Sequence, residues 1–201
     1  MARTLALAGI IGPIAFTSLV VLQGLLQPDY SHIQLPISAL AAWPAGWLQV
    51  LNFYMCGLLI IAFAYALHLT MQHSDWIAGV SLLMGGGVGL IVAGTSSWER
   101  VDGVLTEPPL HVVGAILTFS ATGFGFIALS RRMRADEQWR DLATYALVTG
   151  IIILLLFIAV GFFAIEVGTP LHAWAGLLQR ILCVVWFTCM IVLARRARRA
   201  D

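Results

Sequence analysis

Six apolar stretches, each long enough to cross a bilayer, decide what this chain can fold into. They run near residues 5–26, 47–71, 76–97, 110–130, 142–165 and 173–194. The hydrocarbon core of a bilayer is about 30 Å thick, and an α-helix crosses it in about 20 residues. Lipid offers no partner to a backbone N–H or C=O, so such a stretch must close its own hydrogen bonds as a helix. The expectation is an all-α integral membrane protein, a bundle of about six transmembrane helices forming a single domain over residues 1–201. Composition agrees: 60% of the residues are hydrophobic and 10% are charged, against roughly a quarter charged in a soluble domain. A formal net charge of +1 argues against a nucleic-acid partner. The first stretch is too long for the apolar region of a signal peptide, and no small-x-small cleavage site follows it. It reads as a retained helix.

Arginine gives the orientation. The basic residues are all Arg, with no Lys. Arg131, Arg132, Arg134 and Arg140 fall after the fourth stretch, Arg195, Arg196, Arg198 and Arg199 follow the sixth, and Arg3 precedes the first. The connections on the other side hold only Arg100. By the positive-inside rule both termini are cytoplasmic and the chain sits in the cell inner (plasma) membrane. An even number of spans agrees with that. Trp43, Trp47, Trp98 and Trp174 then fall at the outer interface, and Trp76 and Trp139 at the inner one, as an aromatic belt would. The inner charges read as the ordinary dressing of a cytoplasmic face. Gly79, Gly85, Gly86, Gly87, Gly89 and Gly94 crowd the third stretch, as in a closely packed central helix. Cys56, Cys183 and Cys189 lie in apolar stretches at no metal-binding spacing, and read as small apolar fillers.

The same orientation sorts the chemistry-bearing residues toward the outer side. Arg180 lies about 10 Å inside the last helix at 1.5 Å per residue. A buried guanidinium in lipid costs several kcal/mol unless paired or hydrated, so it is expected to face a substrate or an anionic partner. Glu166, Glu99, Asp102 and Glu107 are candidate partners. His111, His172 and His32 come from three separate outer positions. With the carboxylates they could form an acid–base group or hold zinc. No ligand spacing supports a metal, and no His pair lies mid-span on facing helices, so no cofactor is expected beyond that zinc alternative. The first connection, 27–46, is too apolar for a free tether. It reads as a cap on the outer membrane face, with Ser38 starting a short helix.

Pro28-Asp29-Tyr30-Ser31, Pro36-Ile37-Ser38-Ala39-Leu40, Trp47-Leu48-Gln49 with Asn52-Phe53 and Gly57, Leu110-His111, and Ala175-Gly176-Leu177-Leu178-Gln179-Arg180 together resemble a bacterial membrane family, domain of unknown function number 998. The resemblance spans nearly the whole chain and implies a six-helix bacterial membrane protein. Members tend to read Pro-Gly-Tyr where this chain has Pro28-Asp29-Tyr30, and to carry an acidic residue where it has Ala39.

Two functions are expected from these residues. The first is a membrane-embedded enzyme acting on a lipophilic, isoprenoid- or lipid-like molecule. Its acid–base groups would come from Glu166, Glu99, His111, His172 and Asp102, and its substrate contacts from Arg180, Trp98, Trp174, His32 and Ser38. Such a site could start terpenoid cyclisation by protonating an olefin, or hydrolyse a lipid through His or a metal. The second is a non-catalytic lipid-binding, transport-assisting or assembly protein, whose partner is membrane lipid or another subunit. If the outward site is real, Arg180, His111, His172 and one of the carboxylates should converge.

Overall fold

The computed structural model describes residues 1–27, 29–71, 77–164 and 168–199. Glu166, Trp76 and Pro28 lie outside the described residues. Among the described residues seven α-helices are formed: α1 (Ala2–Ala6), α2 (Ala8–Leu26), α3 (Trp47–Thr70), α4 (Ala78–Thr95), α5 (Pro109–Ala135), α6 (Ala143–Ile158) and α7 (Ala175–Ala197). They make six membrane-length apolar spans, because α1 and α2 continue one another over Ala2–Leu26. This is a multipass membrane protein.

Each span packs against the next in sequence, and α7 closes the ring by packing on α2 and α3. The α4–α5 interface is the most extensive, and glycine makes it possible. A Cβ added at Gly89 would come 2.5 Å from the Thr118 backbone nitrogen, and one at Gly114 would come 2.4 Å from that of Ala93. Only hydrogens at these positions let the two backbones meet, the usual device where lipid supplies no hydrophobic drive between helices. Gly85 is different: its nearest neighbour would be the Ala121 Cβ at 3.7 Å. The helix is therefore packed tightly through Gly79, Gly86 and Gly89 rather than through a Gly85–Gly89 pair.

The helix limits depart from the apolar stretches at the arginine-rich end. Helix α5 runs on to Ala135 and carries Arg131, Arg132 and Arg134, and α7 runs on to Ala197 with Arg195 and Arg196. Arg132 is not surface dressing. It is 2% exposed, and its Nη2 donates to the carbonyls of Met71 at 2.7 Å and His68 at 3.4 Å. It therefore satisfies carbonyls left open at the end of α3. Arg196 pairs with Asp141 across the same end. Trp139 also departs from expectation: it is fully buried rather than interfacial. Trp47 and Trp174, by contrast, are 64% and 50% exposed, as belt residues are.

At the opposite end, two connections have structure of their own. The segment after α2 folds into a 3-10 helix, Ile37–Ala42, which starts one residue before Ser38. The segment after α4 is a two-stranded hairpin, β1 (Glu99–Val101) and β2 (Val104–Thr106), with Val101 opposite Val104. Its two turn residues, Asp102 (φ 51°) and Gly103 (φ 81°), both have positive φ. That is the turn an Asp-Gly pair favours, since its twist matches that of the strands.

Candidate functional site

The cap is fastened to the start of α7 by one arginine. Arg180 Nη1 donates to the carbonyls of Gly176 at 2.9 Å and Leu35 at 3.2 Å. Its Nη2 donates to the Tyr30 hydroxyl at 2.7 Å and to His32 Nδ1 at 3.0 Å. The Tyr30 hydroxyl in turn donates to the Pro36 carbonyl at 3.0 Å. Beside it, the Ile37 N–H donates to Gln179 Oε1 at 2.6 Å, and the Leu177 N–H to the Ile33 carbonyl at 2.9 Å. Gly176 permits this approach, because a Cβ there would fall 2.3 Å from the Leu35 carbonyl oxygen. The guanidinium thus meets neutral acceptors of the cap where an anionic partner or substrate was expected. Because Nδ1 of His32 accepts, that imidazole is neutral in this arrangement. Its pKa is lowered, first by partial burial and then by the neighbouring Arg180 charge.

A second polar group sits where the hairpin joins α5. Pro108 and Pro109 start the helix, a position proline suits because the first N–H has no intrahelical partner. The first turn then brings His111 inward, 3% exposed. Its Nδ1 donates to the Ala93 carbonyl at 2.8 Å, which leaves Nε2 as the acceptor of the neutral ring. Nε2 lies 3.8 Å from Glu107 Oε1. That carboxylate oxygen accepts the Trp98 indole N–H at 3.2 Å. Burial holds the Glu107 pKa above the ordinary carboxylate range, and the Trp98 hydrogen bond opposes this in part. A proton could pass between acid and imidazole after a small movement, since such contacts are often long before a substrate binds.

Between the two groups lies a narrow crevice with about 40 Å³ of free volume. Phe16, Phe53, Phe119 and Phe187 line it, together with Ser38 and Gln179 from the cap side and His111 and Thr118 from α5. Arg180 and His111 are therefore not in one cluster, but the residues around each border the same space.

The other expected residues are placed as follows. Glu99 and Asp102 are exposed on the hairpin. Trp174 is half exposed, on the 3-10 turn His172–Trp174 that precedes α7. His172 is half-buried on that turn. Ser38 is 5% exposed and lines the crevice. Trp98 holds Glu107. Among the described residues, no three of His, Cys, Asp or Glu stand close enough together to hold a metal ion.

The sequence motifs around both groups now have a structural meaning. The stretch Pro36–Leu40 forms the cap, Gly176 to Arg180 receives it, and Leu110-His111 opens the crevice wall. A family model matches residues 10–196, nearly the whole chain. The chain belongs to the family described as Protein of unknown function (DUF998). No curated protein and no solved structure matches it. Family membership thus covers the cap, the hairpin and the crevice alike.

Two features escaped the sequence reading. Gln23, Gln49 and Asn52 form a buried amide group: Gln23 Nε2 donates to Gln49 Oε1 at 3.2 Å, and Asn52 Nδ2 to the Phe16 carbonyl at 3.2 Å. Amides inside apolar spans are rare enough to have been a signal. Trp186, 2% exposed, lines the crevice and sits in a wholly apolar stretch that offered no signal.

Proposed function

We propose that this protein binds a lipophilic, isoprenoid- or lipid-like molecule in the crevice and acts on it by acid–base chemistry through Glu107 and His111. The observation that carries this reading is the Trp98–Glu107–His111 line of contacts ending on a buried, largely aromatic space. In this reading both termini are cytoplasmic and the site faces outward, as the arginine distribution suggests. Glu107, with its raised pKa, keeps a proton to higher pH than an exposed glutamate. It takes the acid role that Glu99 and Asp102, out on the hairpin, are poorly placed to fill. Protonation of an olefin would start terpenoid cyclisation, and the faces of Phe16, Phe53 and Trp186 would stabilise the cation. Exclusion of water by the apolar walls would protect it. With an ester as substrate, His111 Nε2 would instead serve as general base toward water. Arg180 holds the cap, and with it Ser38, over the crevice.

A second reading is lipid binding without catalysis. It is favoured by a groove of about 320 Å³ between α2 and α7, lined by Pro13, Ile14, Thr17, Val184 and Thr188, whose position would suit an acyl chain.

The test compares lipid extracts by mass spectrometry from membranes containing equal amounts of wild type, Glu107→Gln or His111→Ala, fed an isoprenoid and lipid mixture. The expected result is a species made by wild type and reduced at least about a hundredfold in either variant, the usual contribution of an acid–base group. Equal extracts from all three would remove the catalytic reading and leave lipid binding.

A further inference from the structure

We infer that the crevice takes a slender, uncharged lipophile carrying a hydrogen-bond-accepting oxygen, such as a long-chain ketone or ester carbonyl, which receives the N–H of Trp186. The inference rests on the reading that this crevice binds a lipophile and specifies its class.

One donor at the crevice is unmatched. The Trp186 indole can donate but not accept. It is 2% exposed, and its Nε1 is buried with no acceptor among the described residues. Burying a donor without a partner is costly, because its hydrogen bond to water is lost and not replaced. Trp186 is held in place by Phe119 (ring centroids 5.9 Å apart, edge-on) and Phe187 (5.0 Å), so the ring is not free to turn its N–H elsewhere. Gln49 and Trp139 also bury an unmatched N–H, but only Trp186 of the three lines this crevice. The Trp98 indole, by contrast, has Glu107 as its partner.

Three other polar groups around the crevice already have protein partners. Thr118 Oγ1 donates to the Gly114 carbonyl, His111 Nδ1 to the Ala93 carbonyl, and Gln179 Oε1 accepts the Ile37 N–H. What the Trp186 N–H lacks is an acceptor, and a ligand can bring one. The head of that ligand should be neutral, because no Asp, Glu or Arg is among the described residues lining the space. It should also be slender at that end, since the crevice is narrow, with about 40 Å³ of free volume.

The experiment measures retention of radiolabelled 2-octadecanone and of octadecane by the full chain in lipid nanodiscs, with empty nanodiscs as the blank. Wild type should hold the ketone about tenfold more tightly than Trp186→Phe, since one hydrogen bond is worth about 1.4 kcal/mol, or a factor of ten. Octadecane should not distinguish the two. The carbonyl infrared band of the bound ketone should shift to lower frequency in wild type, a readout that needs no variant should Trp186→Phe fail to fold. Equal retention of ketone and alkane, or an unshifted carbonyl band, overturns the inference and leaves the crevice as a lipophile site. No retention of either compound by wild type overturns the binding reading itself.

Discussion

Arg180 shows how a charge is tolerated about two turns into an apolar span. Each donor the structure pairs on it meets a neutral oxygen or nitrogen of the cap or of its own helix, so the guanidinium is solvated by protein rather than neutralised by a carboxylate. One of those acceptors titrates. A protonated His32 cannot accept from Arg180 and would repel it. Since the folded-state pKa is lowered, the unfolded chain takes up this proton first as pH falls. The stabilisation is therefore fully present above the ordinary imidazole value of about 6.5 and is lost below it. Glu107 acts in the opposite sense: its pKa is raised, so its contribution is present at low pH and is lost as pH rises through the folded value. Comparing wild type with His32→Gln separates the two. Between about pH 7 and about pH 5 the melting temperature of wild type should fall relative to His32→Gln. Parallel melting curves would mean that His32 does not fasten the cap. Arg180 itself was legible as a buried charge, but its partners were not. They lie about 150 positions away in sequence (Tyr30 is 150 removed and His32 is 148), and nothing in local spacing reports such a meeting.

Helices were the most legible elements, because span length is imposed by the bilayer and apolar runs record it directly. Their ends were less so. Arginine has a long apolar stem and high helix propensity, so α5 and α7 continue through residues that hydropathy alone assigns to connections. The hairpin went unread because its strands are only three residues each, although Asp102-Gly103 between valines carried the signal. Trp139 was misplaced for a related reason: an aromatic near an interface can turn inward when neighbouring elements cover it. The close α4–α5 packing makes a quantitative prediction. Gly114→Ala places a Cβ against backbone that cannot yield, and it should cost about 1–3 kcal/mol, as overpacking does. Gly85→Ala meets only ordinary contact and should change stability by less than about 0.5 kcal/mol. Unfolding in detergent–denaturant mixtures would measure both, and equal effects would contradict this account of the interface.

At the scale of the whole molecule, the six spans form a ring that closes between α7 and α2, with a cap and a hairpin gathered at one end. Those two connections bring together residues from most of the chain: Trp98 and Glu107 from either side of the hairpin, His111 from α5, and Ser38 and Gln179 where the cap meets α7. We propose that this end holds a lipophile in the crevice beneath the cap. The most direct measurement is native mass spectrometry of the chain released from mild detergent, comparing wild type with Ala115→Phe. Ala115 lines the crevice, and a phenyl ring there would fill it. A small molecule of defined mass should be retained on wild type and be absent from a folded Ala115→Phe of similar melting temperature. The same adducts on both proteins, or none on wild type, would contradict it.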